Sequence, residues 1–387
     1  MSKKDFFNII DLGASKIRLS VYDKDFNEKY FKSRSIKLLS DNLNYFKALE
    51  DIIKDSEKKI SSHIQDVILI VDPLELLTIE ISLSKNLDGE AKLLKVYDSL
   101  ILELNQIINN YYSNYSIAHI VLDSCIVDSK IFNELPKHNK EIKDIKANFK
   151  LICFSKKEIK FLKDHFSKIN INVINFFCTS YVKTLSYLRK MNLKKGAFLE
   201  IGLNRSTFIF YEKNKLKYIK TIPIGGNFIT KDISKIFKIT IEEAEKLKKF
   251  FNSSETEFSY EDTSKDNQVS PKQILNKNIS INLLKKVILY RIQEIIDLTF
   301  KKSKIEISIL DIKDTELFLV GDGSLIFSNN SFHLNNDLQF KNLNHYNEAD
   351  NQICYAGLDH YLNNYEIPKL INKKHGLFER FFNFFGK

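Results

Sequence analysis

Apolar and polar positions fall into blocks that recur along the chain. Phe6 to Ile10 is a largely apolar run, the mark of a buried strand. After the turn Asp11-Leu12-Gly13-Ala14-Ser15, the residues Ile17, Leu19 and Val21 alternate with Arg18, Ser20 and Tyr22. Residues 29–38 supply a third strand. Asn42–Ile60 carries Leu43, Phe46, Leu49, Ile52 and Ile53 at helical spacing, and Asp66–Val71 (DVILIV) reads as a strand buried on both faces. The pattern changes after Pro73. Residues 76–82 alternate as a strand, 90–112 form a long amphipathic helix, and 116–127 read as another strand. The polar, lysine-rich stretch 128–147 reads as a loop or weak hairpin. The opening pattern then resumes: a strand over 148–154, a helix over 155–169 started by Ser155 with Glu158 in capping-box spacing, a strand over 172–177 and a helix over 179–191.

Residues 197–211 (AFLEIGLNRSTFIFY) repeat the start of the chain. A buried strand, an acidic residue, a glycine turn and an alternating strand follow one another, with Glu200 and Gly202 standing where Asp11 and Gly13 stood. A third strand over 215–223 follows, as before. Beyond Ile224-Gly225-Gly226-Asn227 come a helix over 230–237 and a second over 241–251, the latter started by Thr240 with Glu243 three residues on. A polar acidic stretch (253–268), a long helix (279–302) and a short buried strand (317–320) closed by Gly321-Asp322-Gly323-Ser324 come next. An asparagine-rich stretch (330–351) leads to a helix over 353–362, in which Ala356 and Gly357 permit close packing. Three antiparallel strands, a helix and a buried strand, given twice, predict an α/β fold. It is the actin-like, ribonuclease H-like duplication, with a small inserted α+β unit.

The last residues, HGLFERFFNFFGK, add a different element. Leu377, Phe378, Phe381, Phe382, Phe384 and Phe385 fall on one side of a helix over 375–387, with Glu379, Arg380, Asn383 and Lys387 on the other. Such a helix lies in a membrane interface or docks on the core. A docking helix more often uses Leu and Ala, so the phenylalanines point to the membrane. Composition agrees with a folded protein: 387 residues, 43% hydrophobic and 28% charged. The net charge of +10 is spread as lysine among Asn and Ile. No basic stripe carries interleaved aromatics, so no nucleic-acid partner is expected, while a cationic surface is drawn to anionic lipid. The four cysteines are far apart and the eight histidines show no paired spacing, which predicts no metal framework. No run is long enough for a transmembrane helix, and Asp11 interrupts the first apolar run too early for a signal peptide.

The two glycine turns hold the candidate chemistry. Backbone N–H groups in such a turn form a concavity for an anion, and glycine lets a phosphate approach closely. Asp11, at the end of its strand, would face a hydrated Mg²⁺ beside that phosphate. A plain hairpin turn is the other reading.

In order and spacing these motifs resemble the bacterial FtsA cell-division family of actin-like ATPases, over essentially the whole chain. Asp11-Leu12-Gly13-Ala14-Ser15-Lys16 is similar to its first phosphate loop and Glu200-Ile201-Gly202 to its second. Residues 222–227 with 240–246 resemble a stretch typical of the family, Val320-Gly321-Asp322-Gly323 is similar to the adenosine loop, and the Phe-rich end to its membrane-targeting sequence. The resemblance implies subdomain 1A over 1–72 and 151–193, and an inserted 1C (SHS2) subdomain over 73–150. It implies 2A over 194–226 and 306–350, 2B over 227–305, a return to 1A over 351–365, a linker over 366–374 and the membrane helix over 375–387. It further implies ATP and Mg²⁺ as cofactors, with Asp11 and Glu200 orienting the metal through water. Gly13, Ala14, Ser15, Lys16, Gly202, Asn204 and Arg205 would lie at the phosphates. Glu245 and Lys248 would line the ribose and base, Gly321 and Gly323 would pack against the nucleoside, and Gly225, Gly226 and Asp322 would belong to the same nucleotide and phosphate site. The implied partners are the C-terminal peptide of the tubulin-like FtsZ, further copies in a filament, anionic lipid, and later division proteins through the insert. Lys285, Lys286 and Arg291 are the candidates for the FtsZ peptide. The implied location is peripheral, at the cytoplasmic face of the inner membrane at the division site.

Three loops depart from the family pattern. The second loop reads Glu200-Ile201-Gly202-Leu203-Asn204-Arg205 where Asp-x-Gly-Gly-Gly-Thr is usual, and Arg205 there either pairs with a phosphate or blocks the site. Ala14 replaces a Thr, and Asp322 replaces a Gly. Since hydrolysis needs a tightly held γ-phosphate, ATP binding with weak or absent hydrolysis is the expectation. A pilus-assembly actin-like protein that binds a membrane-protein peptide, and a sugar- or acetate-kinase-type phosphotransferase, are the alternatives on the same fold.

Overall fold

The computed structural model describes residues 6–36, 42–73, 75–136, 140–253, 279–301, 312, 315–327, 340, 343–346 and 349–364. Three sheets carry the architecture. In the first, β1 (Phe7–Leu12) pairs antiparallel with β2 (Lys16–Tyr22) and parallel with β4 (Asp66–Val71). β3 (Glu28–Ser35) lies beyond β2 and β9 (Asn172–Cys178) beyond β4, giving the order β3-β2-β1-β4-β9. The second sheet copies it with β10 (Lys195–Ile201), β11 (Ser206–Glu212), β12 (Lys215–Ile222), β13 (Leu317–Val320) and β14 (Leu343–His345), in the order β12-β11-β10-β13-β14 and with the same strand senses. The sequence repeat is therefore a repeat of topology. Asp11 and Glu200 occupy equivalent places, each near the end of a central strand.

The pleat decides what each face meets. In β10 and β11, Ala197, Leu199, Ile201, Phe208 and Phe210 share a core with α5 (Gly226–Phe237), α6 (Ile241–Ser253) and α7 (Ile281–Lys301). Phe198, Ile209 and Tyr211, one residue out of step, belong to the core of the first half. Glu200 follows Phe198 and so turns toward the first half. That half is completed by α1 (Asn42–Ile60) and α3 (Lys156–Lys168), which meet through Phe46 and Phe161 with ring centroids 5.5 Å apart. It also holds α4 (Thr179–Lys190) and α8 (Gln352–Asn364), which pack on each other. Gly357 lets α8 sit directly on the sheet: a Cβ there would lie 2.5 Å from Ile70 Cδ1 and 3.1 Å from Ile9 Cγ2.

The inserted unit is a sheet of order β5-β8-β6-β7, built from β5 (Leu76–Lys92), β6 (Tyr115–Val127), β7 (Lys130–Phe132) and β8 (Glu141–Ser155). The helix α2 (Leu93–Tyr111) covers it with Leu93, Val96, Leu100, Leu104 and Ile108, which share its own core. Here the sequence reading is corrected. The strand expected over 148–154 as the return of the first half is the end of β8, paired to β5 and β6. The lysine-rich stretch before it is largely strand, because Ile142, Ile145 and Ala147 point inward while Lys143 and Lys146 point out. Ser155 stands at the start of α3 but its side chain makes no cap hydrogen bond. The box at α6 does form: Glu243 Oε2 accepts from Thr240 N at 2.8 Å and Thr240 Oγ1 from Glu243 N at 3.2 Å. The helix expected from Thr230 begins at Gly226.

The insert is tied to both halves. His119 of β6 lies with Nδ1 3.1 Å from His360 Nε2 on α8, while its Nε2 accepts from Cys178 N at 2.8 Å. On the other side Lys215 Nζ donates to Leu122 O at 3.1 Å and Lys217 Nζ pairs with Asp123 Oδ1 at 2.6 Å. Among the described residues no helix is long and apolar enough to cross a membrane. The expected amphipathic helix over 375–387, with its phenylalanines, Arg380 and Lys387, lies outside the described residues, as does the linker before it.

Candidate functional site

The two glycine turns come together at the junction of the halves. Leu12 and Ala14 of the first and Leu203 and Asn204 of the second line one cavity of about 360 Å³, shared with Asp72, Pro73, Tyr45, Phe46 and Phe161. Gly13 is close-packed, since a Cβ there would lie 2.6 Å from Lys16 O, and its own carbonyl accepts from Tyr45 Oη at 3.3 Å. Asn204 Oδ1 accepts from Asn227 Nδ2 at 3.3 Å, and Gly202 O from Gly226 N at 2.9 Å.

Asp11 is 2% exposed. The hairpin register sets it directly opposite Arg18, whose Nη1 donates to Oδ2 at 2.7 Å, and Thr179 Oγ1 at the start of α4 donates to Oδ1 at 3.3 Å. Burial pushes the Asp11 carboxyl up against the pull of the guanidinium. Lys183, one helical turn after Thr179 and on the same side of α4, donates its Nζ to Glu200 Oε1 and is 1% exposed. Arg205 runs the other way across the junction. It pairs with the Asp72 carboxylate, donates to Pro73 O at 2.9 Å and to Ser180 Oγ at 3.2 Å, and Ser180 N in turn donates to Asp72 Oδ1 at 3.0 Å.

Lys16, expected at the phosphates, points elsewhere. Its Nζ pairs with Asp350 at 2.8 Å, where Arg18 at 3.3 Å and Ser33 Oγ at 3.1 Å converge as well. Lys16 and Arg18 share a face of β2, and Arg18, nearer the turn's carboxylate, is the cation beside the first loop.

The third glycine turn closes the other end. Gly321 has φ +88°, a conformation open to glycine, and a Cβ there would lie 2.8 Å from Ile201 O. Asp322 Oδ2 accepts from Ser15 Oγ at 3.4 Å, joining first and third turns. Gly226 and Gly323 face each other, with a Cβ on Gly226 falling 3.7 Å from Gly323 Cα and 3.8 Å from Lys248 Nζ. Gly225 abuts the second turn, where a Cβ would lie 2.5 Å from Gly202 O. Lys248 Nζ donates to Gly226 O at 3.2 Å and to Thr230 Oγ1 at 2.8 Å, and pairs with Glu245 at 2.6 Å. Burial lowers the Lys248 ammonium while Glu245 raises it. All residues expected at a nucleotide except Lys16 thus gather around one junction. Arg291 does not present an open cation: it grips Asp232 at 2.5 and 3.0 Å and pairs with Glu294. Lys286 is exposed and Lys285 half-buried on the same helix.

Arg18, Asp72, Thr179, Ser180 and Lys183 were not among the residues expected from sequence. Arg18 had a local signal, its cross-strand position opposite Asp11. Asp72 and Ser180 bond each other within the first half, while Lys183 and the Arg205 contacts depend on the meeting of the halves.

A hydrated divalent metal between Asp11 and Glu200 needs open anionic oxygens on both. Both oxygens of Asp11 are engaged, by Arg18 and Thr179, and one of Glu200 is held by Lys183. Of the four oxygens of Asp11 and Glu200, Glu200 Oε2 alone is buried without a hydrogen-bond partner, and among the described residues no cluster of three metal-ligating side chains occurs. The residues present do not fit such a metal. Gly225, Gly226 and Gly323 instead pack closely on the second turn and on one another beside Lys248.

Residues 197–357 match the family described as "Cell division protein FtsA". No curated protein matches the chain. Among solved structures the chain is similar to one described as "PilM-PilN type IV pilus biogenesis complex", at 14% identity over 92% of this chain and 95% of that one, with a TM-score of 0.54. It is also similar to MreB 5 of Spiroplasma citri bound to AMPPNP, at 13% identity over 94% of this chain and 98% of that one, with a TM-score of 0.52. The fold is that of the actin-like ATPases, and the likeness to FtsA holds over residues 197–357.

Proposed function

We propose that this chain is an FtsA-type adaptor. It takes ATP at the junction of its two halves, assembles into actin-like filaments, and holds FtsZ filaments by their C-terminal peptide at the cytoplasmic face of the inner membrane during division. The match of residues 197–357 to the FtsA family, set on a duplicated actin-like fold, carries this reading. Gly226, Gly323, Glu245 and Lys248 would meet the nucleoside, and the backbone of the first turn would meet a phosphate. No step is assigned to Mg²⁺, since the loop carboxylates are already engaged. The inserted sheet, joined to both halves, offers a surface for later division proteins.

The phenylalanines of 375–387 supply the tether. Burying each contributes about 1.5–3 kcal/mol, less the cost of ordering the helix, so a single tail binds modestly. A filament presents many tails, and each further attachment becomes intramolecular. The test is co-sedimentation with anionic liposomes, together with capture on an immobilised FtsZ C-terminal peptide. The full chain is expected to sediment, a chain ending at 374 to stay in the supernatant, and both to be retained by the peptide. Sedimentation unaffected by the truncation refutes the tether. Retention by a pilus membrane-protein peptide instead of the FtsZ peptide moves the protein to pilus assembly.

A further inference from the structure

Two buried cations of the chain cross between the halves. Lys183 lies on the first-half helix α4, yet its ammonium is held by Glu200 of the second half, with both side chains almost wholly buried. Its charge also acts on Asp11. Lys183 is therefore a buried cation on the helix whose first residue, Thr179, donates to Asp11, belonging to one half and bound by the carboxylate of the other. Arg205 does the same in reverse, reaching from the second turn to Asp72, Pro73 O and Ser180 of the first half.

We propose that the Lys183 ammonium replaces the divalent cation of the cleft, and that the Lys183–Glu200 and Arg205–Asp72 pairs hold the halves together without metal. Three observations agree. Both Asp11 oxygens already accept hydrogen bonds, one of them from the buried Arg18 guanidinium. A buried ammonium and a divalent cation beside the same carboxylate would repel strongly. Arg205, which stands where a threonine is usual, reaches from the second turn into the first half and adds a second ion pair across the same junction. A lysine can act here because its compact, point-like charge on a long stem reaches a carboxylate across the junction as a small cation would. Nucleotide affinity in this chain is then independent of Mg²⁺. The inference concerns the cleft alone and stands or falls apart from the membrane and filament reading.

Mn²⁺ is the probe, followed by its electron paramagnetic resonance signal on addition of the full chain. The parent protein is expected to leave the free-Mn²⁺ signal undiminished, and its unfolding midpoint to be the same in Mg²⁺ as in EDTA, with or without ATP. One equivalent of bound Mn²⁺ that disappears in Asp11→Ala overturns the proposal. Lys183→Met vacates the position, and the folded variant is expected to bind one equivalent of Mn²⁺ and to gain in unfolding midpoint with Mg²⁺. A folded Lys183→Met protein that binds none also overturns it. If that variant does not fold, the parent measurement decides alone.

Discussion

Buried side chains with no solvent to share their charge show most directly what single residues contribute. His119 and His360 face each other inside the protein, each held neutral because burial disfavours the imidazolium. Burial places His360 at about 3 and His119 well below 6.5. His119 Nε2 accepts the Cys178 amide, so Nδ1 carries the proton and donates it to His360. In the unfolded chain both regain an ordinary pKa near 6.5 and take up protons that the folded protein refuses. Their stabilisation is therefore complete above pH 6.5 and is lost as the pH falls toward that of His360. Urea unfolding followed between neutral and mildly acid pH should show stability falling in that window. His360→Gln, with one fewer titrating group, should flatten the slope; an unchanged slope would mean that this pair does not titrate there.

At the level of elements, two caps that look alike in sequence behave differently. Thr240 and Glu243 exchange hydrogen bonds at the start of α6, while Ser155 makes no such bond at α3. Thr240→Ala should cost about 1 kcal/mol in denaturant unfolding, and Ser155→Ala less than about 0.5 kcal/mol. The packing of α8 is a stricter constraint. Gly357 leaves no space above Ile70 and Ile9, and Gly357→Val should destabilise by about 1–3 kcal/mol as the helix is pushed off the sheet. The sequence signalled that glycine by its place in an apolar helix. The extent of β8 was hidden because lysines on its outward face gave a local composition typical of a loop, and only pairing with β5 and β6 reveals the inward Ile and Ala as one strand's buried face.

At the scale of the molecule, charge joins the halves. Arg205→Ala would leave the half-buried Asp72 beside Ser180 with its main cation gone, and the loss should cost about 1–3 kcal/mol. The loss should appear in hydrogen exchange as earlier opening of amides in α4 and β10, where the halves meet; protection equal to the parent's would deny Arg205 a role in holding them. The insert adds a second connection through Lys217 and Asp123 on one side and His119 on the other, so relative movement of the halves also has to work against this unit.

The duplicated strand order, the acid–glycine turns and the two-halved architecture are all readable from the sequence, because alternation and turn chemistry act between near neighbours. Asp11 and Glu200 were legible as a matched pair for that reason, and Arg18 as Asp11's cross-strand neighbour. What those carboxylates bind is a different matter. Lys183 is one lysine among many in a basic chain, and nothing within α4 shows that it will be buried against a strand that begins twelve residues later. Its partner, the turn of Arg205 into the first half and the use of Lys16 on Asp350 follow from how the two sheets face each other, since an ion pair between distant segments exists only once packing has brought them together and excluded water.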